Sequence, residues 1–240
     1  MPEKRYFRNT PAALKWGIKY EDVAILIYEN IYNTTINEFG LMTNEKYINL
    51  GASPDGISEN GIMLEIKCPY SRKINGTISA QYYYQIQGQL EVCELDECDF
   101  LECEIKDFKD LNVIEDKISI QSQGKPYYYG CVVTYYIKDY EIPPFHFSKV
   151  NLDLIDLEDW KNQNLDLNYA TNNIDCLKGI NINDIEEVEY DYWFCNTFDC
   201  IRVGRDPEFW NILSSKLNDC LLYTSPSPRD QRGSGMAWWA

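Results

Sequence analysis

The chain has 240 residues, with 22 Lys and Arg against 38 Asp and Glu, a formal net charge of −16, one His, nine Cys and 14% aromatics. With 45% hydrophobic and 25% charged residues it lies in the ordinary globular range, which excludes disorder of the whole chain. No run of about 18 apolar residues occurs, and Met1-Pro2-Glu3-Lys4-Arg5 leads into no apolar stretch, so neither a membrane span nor a signal peptide is expected and the site of action is read as intracellular.

Residues 13–33 place Trp16, Tyr20, Val23, Ala24, Ile27 and Ile31 at helical spacing, an amphipathic helix. At about 100° per residue, Glu21 falls at the border of the apolar face and Asp22 nearly opposite it, so Glu21 is the acid that can face a cleft. Three extended segments are expected next, at 35–42, 47–52 and 61–68, with turn signals at Pro54-Asp55-Gly56 and Asn60-Gly61. In the third, Ile62, Leu64, Ile66 and Cys68 alternate with Met63, Glu65 and Lys67, so Glu65 and Lys67 project from the face opposite the apolar one. Residues 81–92 read as a helix with Gln85 and Gln89 on one side and Gln87 on another. Leu101, Cys103 and Ile105 then alternate as a strand. The order so far is helix, three strands, helix, strand, a mixed α/β (α+β) arrangement. Beyond it, 127–137 reads as a strand interrupted at Gly130, 150–172 as an acidic helix, and Asp206-Pro207-Glu208 as the start of another helix. The acidic, polar run 172–189 reads as a mobile loop.

The nine cysteines contain no C-x-x-C pair, which argues against a structural zinc site. Cys93, Cys98 and Cys103, at a helix end and the strand after it, read as small buried hydrophobes in a reducing compartment. The lone His146 leaves carboxylates as the more economical place to look for chemistry. Taken singly, Pro54-Asp55-Gly56 is more often a plain turn and Glu65-Ile66-Lys67 more often a solvated strand face. Together they place an acid at the end of one strand and Glu-x-Lys across a short hairpin on the next, with Glu21 added from the preceding helix. Hard oxygen ligands of this kind suit Mg²⁺ or Mn²⁺. Lys67 would orient or deprotonate the attacking water, or stabilise charge on a phosphate. The tyrosine runs Tyr82-Tyr83-Tyr84 and Tyr127-Tyr128-Tyr129 are read as packing rather than base stacking.

Asp55 followed by Glu65-Ile66-Lys67 resembles the PD-(D/E)XK nuclease signature. Trp16-Gly17-x-x-Tyr20-Glu21, Gly51-Ala52-Ser53-Pro54-Asp55-Gly56, Leu64-Glu65-Ile66-Lys67-Cys68-Pro69 and Gln85-Ile86-Gln87 together resemble the lambda-type exonuclease, or YqaJ-like viral recombinase, family. The variant Gly-Ala-Ser-Pro-Asp-Gly with Ile-Lys-Cys-Pro is similar to copies in large nucleocytoplasmic DNA viruses. The resemblance covers residues 11–106 clearly and weakens to about 215. It implies a restriction-endonuclease-like core of order α-β-β-β-α-β. The activity implied is a metal-dependent exonuclease that degrades one strand of linear duplex DNA from its 5′ end, exposing single strand for recombination or repair.

By the same resemblance, Asp55, Glu65 and the Ile66 carbonyl hold one or two Mg²⁺ or Mn²⁺ ions, Lys67 handles the water, and Glu21 serves a second metal or positions the water. Gln85 or Gln87 supports the site, the two being left open. Arg72, Lys73 and Ser53 are the expected DNA contacts, with Lys15 and Lys19 near the cleft. The implied partners are double-stranded DNA ends, a single-strand annealing protein and a homotrimeric ring, with no membrane, in the cytoplasm of an infected cell or a viral factory. The 5′-phosphate-holding segment that family members carry at the start is represented at most by Lys4, Arg5 and Arg8, so truncation at both ends is expected.

Residues 1–219 are read as a single nuclease domain, with a catalytic core at 11–106 and a C-terminal elaboration at 107–219. Residues 221–230 are similar to one frame of a translated sequencing adapter, and 220–240 is read as a non-native tail. The alternatives are another nuclease of this fold, such as an endonuclease or an iron-sulfur exonuclease, and a truncated DNA-binding module without activity. Because the net charge is −16, duplex binding is expected to rest on a local basic strip, with the acids after residue 95 facing away.

Overall fold

The computed structural model describes residues 7–47, 50–121 and 126–223, without the side chains of residues 8 and 218–223. Helix α1 (Ala12–Tyr32) ends where Asn33 turns into the left-handed region at φ +48° and its N–H bonds to the Glu29 carbonyl. Five short strands follow: β1 (Ile36–Asn37), β2 (Met42–Thr43), β3 (Gly51–Ala52), β4 (Gly56–Ser58) and β5 (Met63–Lys67). Helix α2 (Ala80–Cys93), capped by the Ser79 side chain on the Tyr82 N–H, leads to the long strand β6 (Glu97–Phe108). Then come α3 (Leu111–Ile120), β7 (Tyr128–Ile137), β8 (Phe145–Phe147), α4 (Leu154–Leu165), α5 (Leu167–Asn173), β9 (Ile185–Gly204) and α6 (Pro207–Tyr223).

Seven strands form one mixed sheet in the order β1-β4-β5-β6-β9-β7-β8, and β2 pairs with β3 apart from it. The β5–β6 pair is parallel, bridged by α2, and the other pairs are antiparallel. Within the main sheet the order is therefore α1, three strands, α2, strand, as the sequence pattern implies, but the three strands are shorter and partly different. Residues 35–42 hold only β1 and the start of β2, and among the described residues of 47–52 the strand is β3 at their end. The turn signal at Pro54-Asp55-Gly56 opens strand β4 instead of merely separating strands.

Both faces of the sheet are covered. Tyr20, Val23, Ala24 and Ile27 of α1, all without solvent exposure, pack on Leu64, Ile66, Leu101, Cys103, Val132 and Trp193. On the other face Ile86 and Leu90 of α2 pack on Met63, Cys98 and Phe100, and α3, α4 and α5 continue that layer along β7 and β9. Burying side chains of this size contributes about 1.5–3 kcal/mol each. Strand β5 is thus buried on both sides, and the alternation read as apolar against solvated is really apolar against apolar, with Glu65 set into the second layer.

Three further readings are corrected. Residues 150–172 break into α4 and α5, with the Asp166 side chain accepting from the Asn168 and Tyr169 N–H groups to start the second helix. The expected loop at 172–189 holds short turns and the first five residues of β9, a 20-residue strand. Strand β9 changes partner along its length: residues 185–191 pair with β7 alone, 192–195 with both β7 and β6, and 197–204 with β6. Its acids Glu186, Glu187 and Glu189 fall on the stretch open along one edge, where charge protects a strand from further pairing, while Asp191 is buried and paired with Lys19 and Lys109. Gly130 does not interrupt β7, since it pairs with Trp193 within a register that runs regularly from Tyr128 to Tyr136. The lone His146 of β8 stacks on Trp160 of α4 and shares the lining of a cavity with Asp22 and Glu38.

The expected non-native tail from 220 begins inside α6, and 224–240 lie outside the described residues, as do Lys4 and Arg5. The described cysteines are free, with Cys98, Cys103, Cys131 and Cys195 buried. Among the described residues no helix is long and apolar enough to cross a membrane.

Gly130 is required by close approach. A Cβ there would lie 2.7 Å from Cζ2 of the fully buried Trp193 and 2.8 Å from Oγ of Ser148. Ser148 cannot retreat, because its hydroxyl accepts from the Cys131 N–H and donates to the Lys149 carbonyl. Gly130→Ala is expected to lower stability by about 1–3 kcal/mol, read as a lower denaturant midpoint; an unchanged midpoint would show that the indole can give way.

Candidate active site

The C-terminal end of β5, the turn before β4 and the middle of α1 meet at one place. Helix α1 is held there by polar tethers to the sheet: the Tyr28 hydroxyl donates to Asp99 at 2.7 Å, the Tyr20 hydroxyl to Asp107 at 2.9 Å, and the Cys68 thiol to the Tyr20 carbonyl at 3.3 Å. The last of these sets Glu21 beside the end of β5. Asp55 accepts the Ile66 N–H at 2.5 Å, which ties the turn before β4 to the same strand.

Glu65 is only 1% exposed. Its Oε1 accepts from Lys67 Nζ at 2.5 Å and from Gln85 Nε2 at 2.8 Å, while Oε2 accepts from Gln89 Nε2 at 2.9 Å. Gln85 and Gln89, one turn apart on α2, thus act on the same carboxylate. Gln87 points elsewhere: it donates to the Gly204 carbonyl at 2.9 Å and accepts the Asp206 N–H at 2.7 Å, fixing the start of α6. Gln89 was legible as the i+4 partner of Gln85 but was not among the expected site residues.

The electrostatics describe a place short of positive charge. Burial, followed by the carboxylates of Glu65 and Glu21, holds the Asp55 pKa well above its ordinary value, against the Ile66 N–H and Lys67. Glu21 is raised by burial and by Asp22, with Lys67 opposing. For Lys67, burial works downward, but Glu65 and Asp55 outweigh it and the ammonium form is favoured. Asp22, expected on the far side of α1, is instead half-buried, and its pKa is pushed up to about 6 by burial and by Glu38. It lines a cavity of about 380 Å³ between α1, β1 and β8.

Three carboxylates against one ammonium make a donor set suited to a hard divalent cation. Among the described residues, however, no three His, Cys, Asp or Glu side chains stand close enough to form a ready metal cage. At Glu65, Lys67 and the two glutamines occupy both oxygens.

The expected DNA contacts fare differently from one another. Lys73 is exposed in the loop after β5, and Ser53 is exposed ahead of Asp55. Arg72 is tied to Glu102. Lys19, expected near the cleft, is paired with Asp191 at 2.5 Å. Glu102 also corrects the expectation that the acids beyond residue 95 face away, since it stands opposite Lys67 in the register of β5 and β6. Tyr82 and Tyr83 pack against the α2 core, and Tyr128 and Tyr129 are buried in the sheet. The side chain of Arg8 lies outside the described residues.

Residues 3–96 match the YqaJ-like viral recombinase domain family. A stretch of 110 residues is 39% identical to "Uncharacterized protein R354" of Acanthamoeba polyphaga mimivirus, covering 38% of this chain and 20% of that protein. The alkaline exonuclease LHK-Exo of Laribacter hongkongensis is 28% identical over 39% of this chain and 50% of its own, at a TM-score of 0.37. A second structure of LHK-Exo, in complex with dAMP, is 28% identical over 40% of this chain and 51% of its own, at 0.36. The chain spans a fifth of the length of the curated relative and about half that of the solved ones. The resemblance carried by the motifs therefore holds over the segment that contains Glu21, Asp55, Glu65, Lys67, Gln85 and Gln87.

Two outcomes follow from this geometry. Glu65→Ala leaves an ammonium and two amides without their acceptor and is expected to cost about 2–3 kcal/mol, less than for a fully buried pair because the Lys67 side chain is 26% exposed. Glu65→Gln should cost less, and denaturant titration of both variants compares them. For Asp22, a pKa raised in the fold means a contribution to stability that is complete below about pH 4 and lost as pH rises through about 6. Asp22→Asn, without added metal, should therefore raise the melting temperature more at pH 7.5 than at pH 4.5; an equal effect at both would contradict the burial argument.

Proposed function

We propose that the chain is a divalent-metal-dependent deoxyribonuclease that degrades one strand of linear duplex DNA, 5′ to 3′, exposing single strand for recombination or repair. The observation that carries this reading is the meeting of Glu21, Asp55, Glu65 and Lys67 at the end of β5, within the segment matched by the viral recombinase domain family. Asp55, Glu65, Glu21 and the Ile66 carbonyl would hold one or two Mg²⁺ or Mn²⁺ ions, which supply positive charge at the scissile phosphate.

The chain's own groups divide the remaining work. Gln85 and Gln89 hold the Glu65 carboxylate in one orientation, and Lys67 would yield its place on Oε1 to the cation. Lys67, kept as an ammonium, orients the attacking water and neutralises charge developing on the phosphate, a role its raised pKa favours over that of a base. Asp55, anchored through one oxygen by the Ile66 N–H, keeps its other oxygen for the cation. Arg72, Lys73 and Ser53 lie beside this cluster as backbone contacts. A homotrimeric ring, an annealing protein that receives the exposed strand, and action in an infected cell's cytoplasm or viral factory belong to the same reading.

The test compares a 5′-phosphorylated linear duplex with a closed circle, with Mg²⁺ and with a chelator. Loss of the linear DNA alone, and only with the metal, is the expected result. Lys67→Ala and Glu65→Gln should slow it by about 10²-fold or more, Gln85→Ala by less, while Gln87→Ala should keep the parent rate. Cutting of the circle would point to an endonuclease. Cleavage that persists in Glu65→Gln would remove the carboxylate cluster from the mechanism.

A further inference from the structure

Beside the cluster stands a buried carboxylate, Glu102, to which the mechanism above gives no role. Glu102 on β6 stands opposite Lys67 of β5 in the register of the parallel ladder and is 2% exposed. Its Oε1 accepts from Arg72 Nη2, and its Oε2 is buried with no hydrogen-bond partner. The Arg72 side chain is 43% exposed. Tyr82 of α2 lies between the two cations, its ring centre 6.0 Å from Cζ of Arg72 and 5.3 Å from Nζ of Lys67.

Arg72 is therefore bound more tightly than a surface ion pair would require. Swinging it away would strand a buried carboxylate that already lacks one partner, and that loss is steep. A guanidinium offers five N–H donors in a rigid plane, so one edge can remain on Glu102 while the exposed remainder meets an anion. A lysine, a compact point charge on a flexible stem, lacks that rigid plane and would not be held in one orientation between the two.

We propose that Glu102 is a positioning residue that holds Arg72 as a preset phosphate clamp beside Glu65 and Lys67, so that a DNA backbone meets an arginine already ordered. This rests on the nuclease reading and deepens it. The opposite arrangement, in which Glu102 withholds Arg72 from DNA, makes the opposite forecast.

The experiment measures equilibrium binding of a fluorescent 5′-phosphorylated duplex to the full chain without added metal, over a range of salt, and initial rates with Mg²⁺. Glu102→Gln should weaken binding about tenfold, with kcat within about twofold. It should also flatten the dependence of log affinity on log salt by about one, as Arg72→Ala does. The double variant should bind no more weakly than Arg72→Ala alone, because the two side chains act as one unit. Arg72→Lys should weaken binding about fivefold although the charge is kept. Unchanged or tighter binding by Glu102→Gln overturns the proposal, as does a further loss when it is added to Arg72→Ala. Should Glu102→Gln not fold, Arg72→Lys decides, and parent-like binding by it overturns the proposal. A parent chain that neither binds nor cuts duplex DNA removes the nuclease reading and this proposal with it; a parent that does both, with Glu102→Gln unaffected, removes only the role of Glu102.

Discussion

Glu65 occupies the middle of β5 with a hundredth of its surface exposed, and an ionised carboxylate there is tolerated only because Lys67, Gln85 and Gln89 all reach it. Burying such a group unpartnered costs several kcal/mol, so the three donors constrain the fold as well as the site. Two of them lie one turn apart on α2, which fixes the rotation of that helix against β5. Because α2 is the crossover between the parallel strands β5 and β6, its position also sets where β6 lies and which of its residues stand beside the carboxylate. The chemistry and the central β-α-β unit are thus specified by the same hydrogen bonds.

The other half of the site depends on α1, which is placed by contacts of two kinds. Its apolar stripe lies on Leu64, Ile66, Leu101 and Cys103, a nonspecific attraction that leaves the helix free to slide. Directional bonds from Tyr20, Tyr28 and Lys19 to Asp107, Asp99 and Asp191 remove that freedom. Those three acids lie on β6 and β9, so the strands beyond residue 96 help to place Glu21. The C-terminal part of the chain shares one sheet with the N-terminal part and pins its first helix.

Sequence pattern revealed what has a local signature. The periods of α1, α2 and β6 are visible because each has a run long enough to repeat, and Glu21, Asp55, Glu65 and Lys67 stand out through spacing. Strand β4 is hidden because three residues following a turn signal show no period. The start of β9 is hidden because its acids look like a solvated loop, and only pairing with β7 on one side alone explains them. The choice between Gln85 and Gln87 was open because both are polar positions on a helix of unknown rotation. Contact with Glu65 and with the start of α6 separates their roles. Burial of Glu65 on a two-sided strand was equally illegible, since alternation reports a difference between faces and not what covers them.

The same internal pairing explains how so acidic a chain would meet a polyanion. Arg72 is committed to Glu102, Lys19 to Asp191 and Lys67 to Glu65, so cations that the primary structure seems to offer as a basic strip are partly neutralised within the fold. At a net charge of −16 the long-range field repels DNA and gives no help in encounter. Recognition by this surface would, on the nuclease reading, come from short-range contacts formed after approach, in which a fixed guanidinium and a divalent ion would replace the missing field. On the nuclease reading, they favour a substrate whose terminus can enter the cluster over one that offers only a continuous side, because the flanks of the protein repel what its centre can hold.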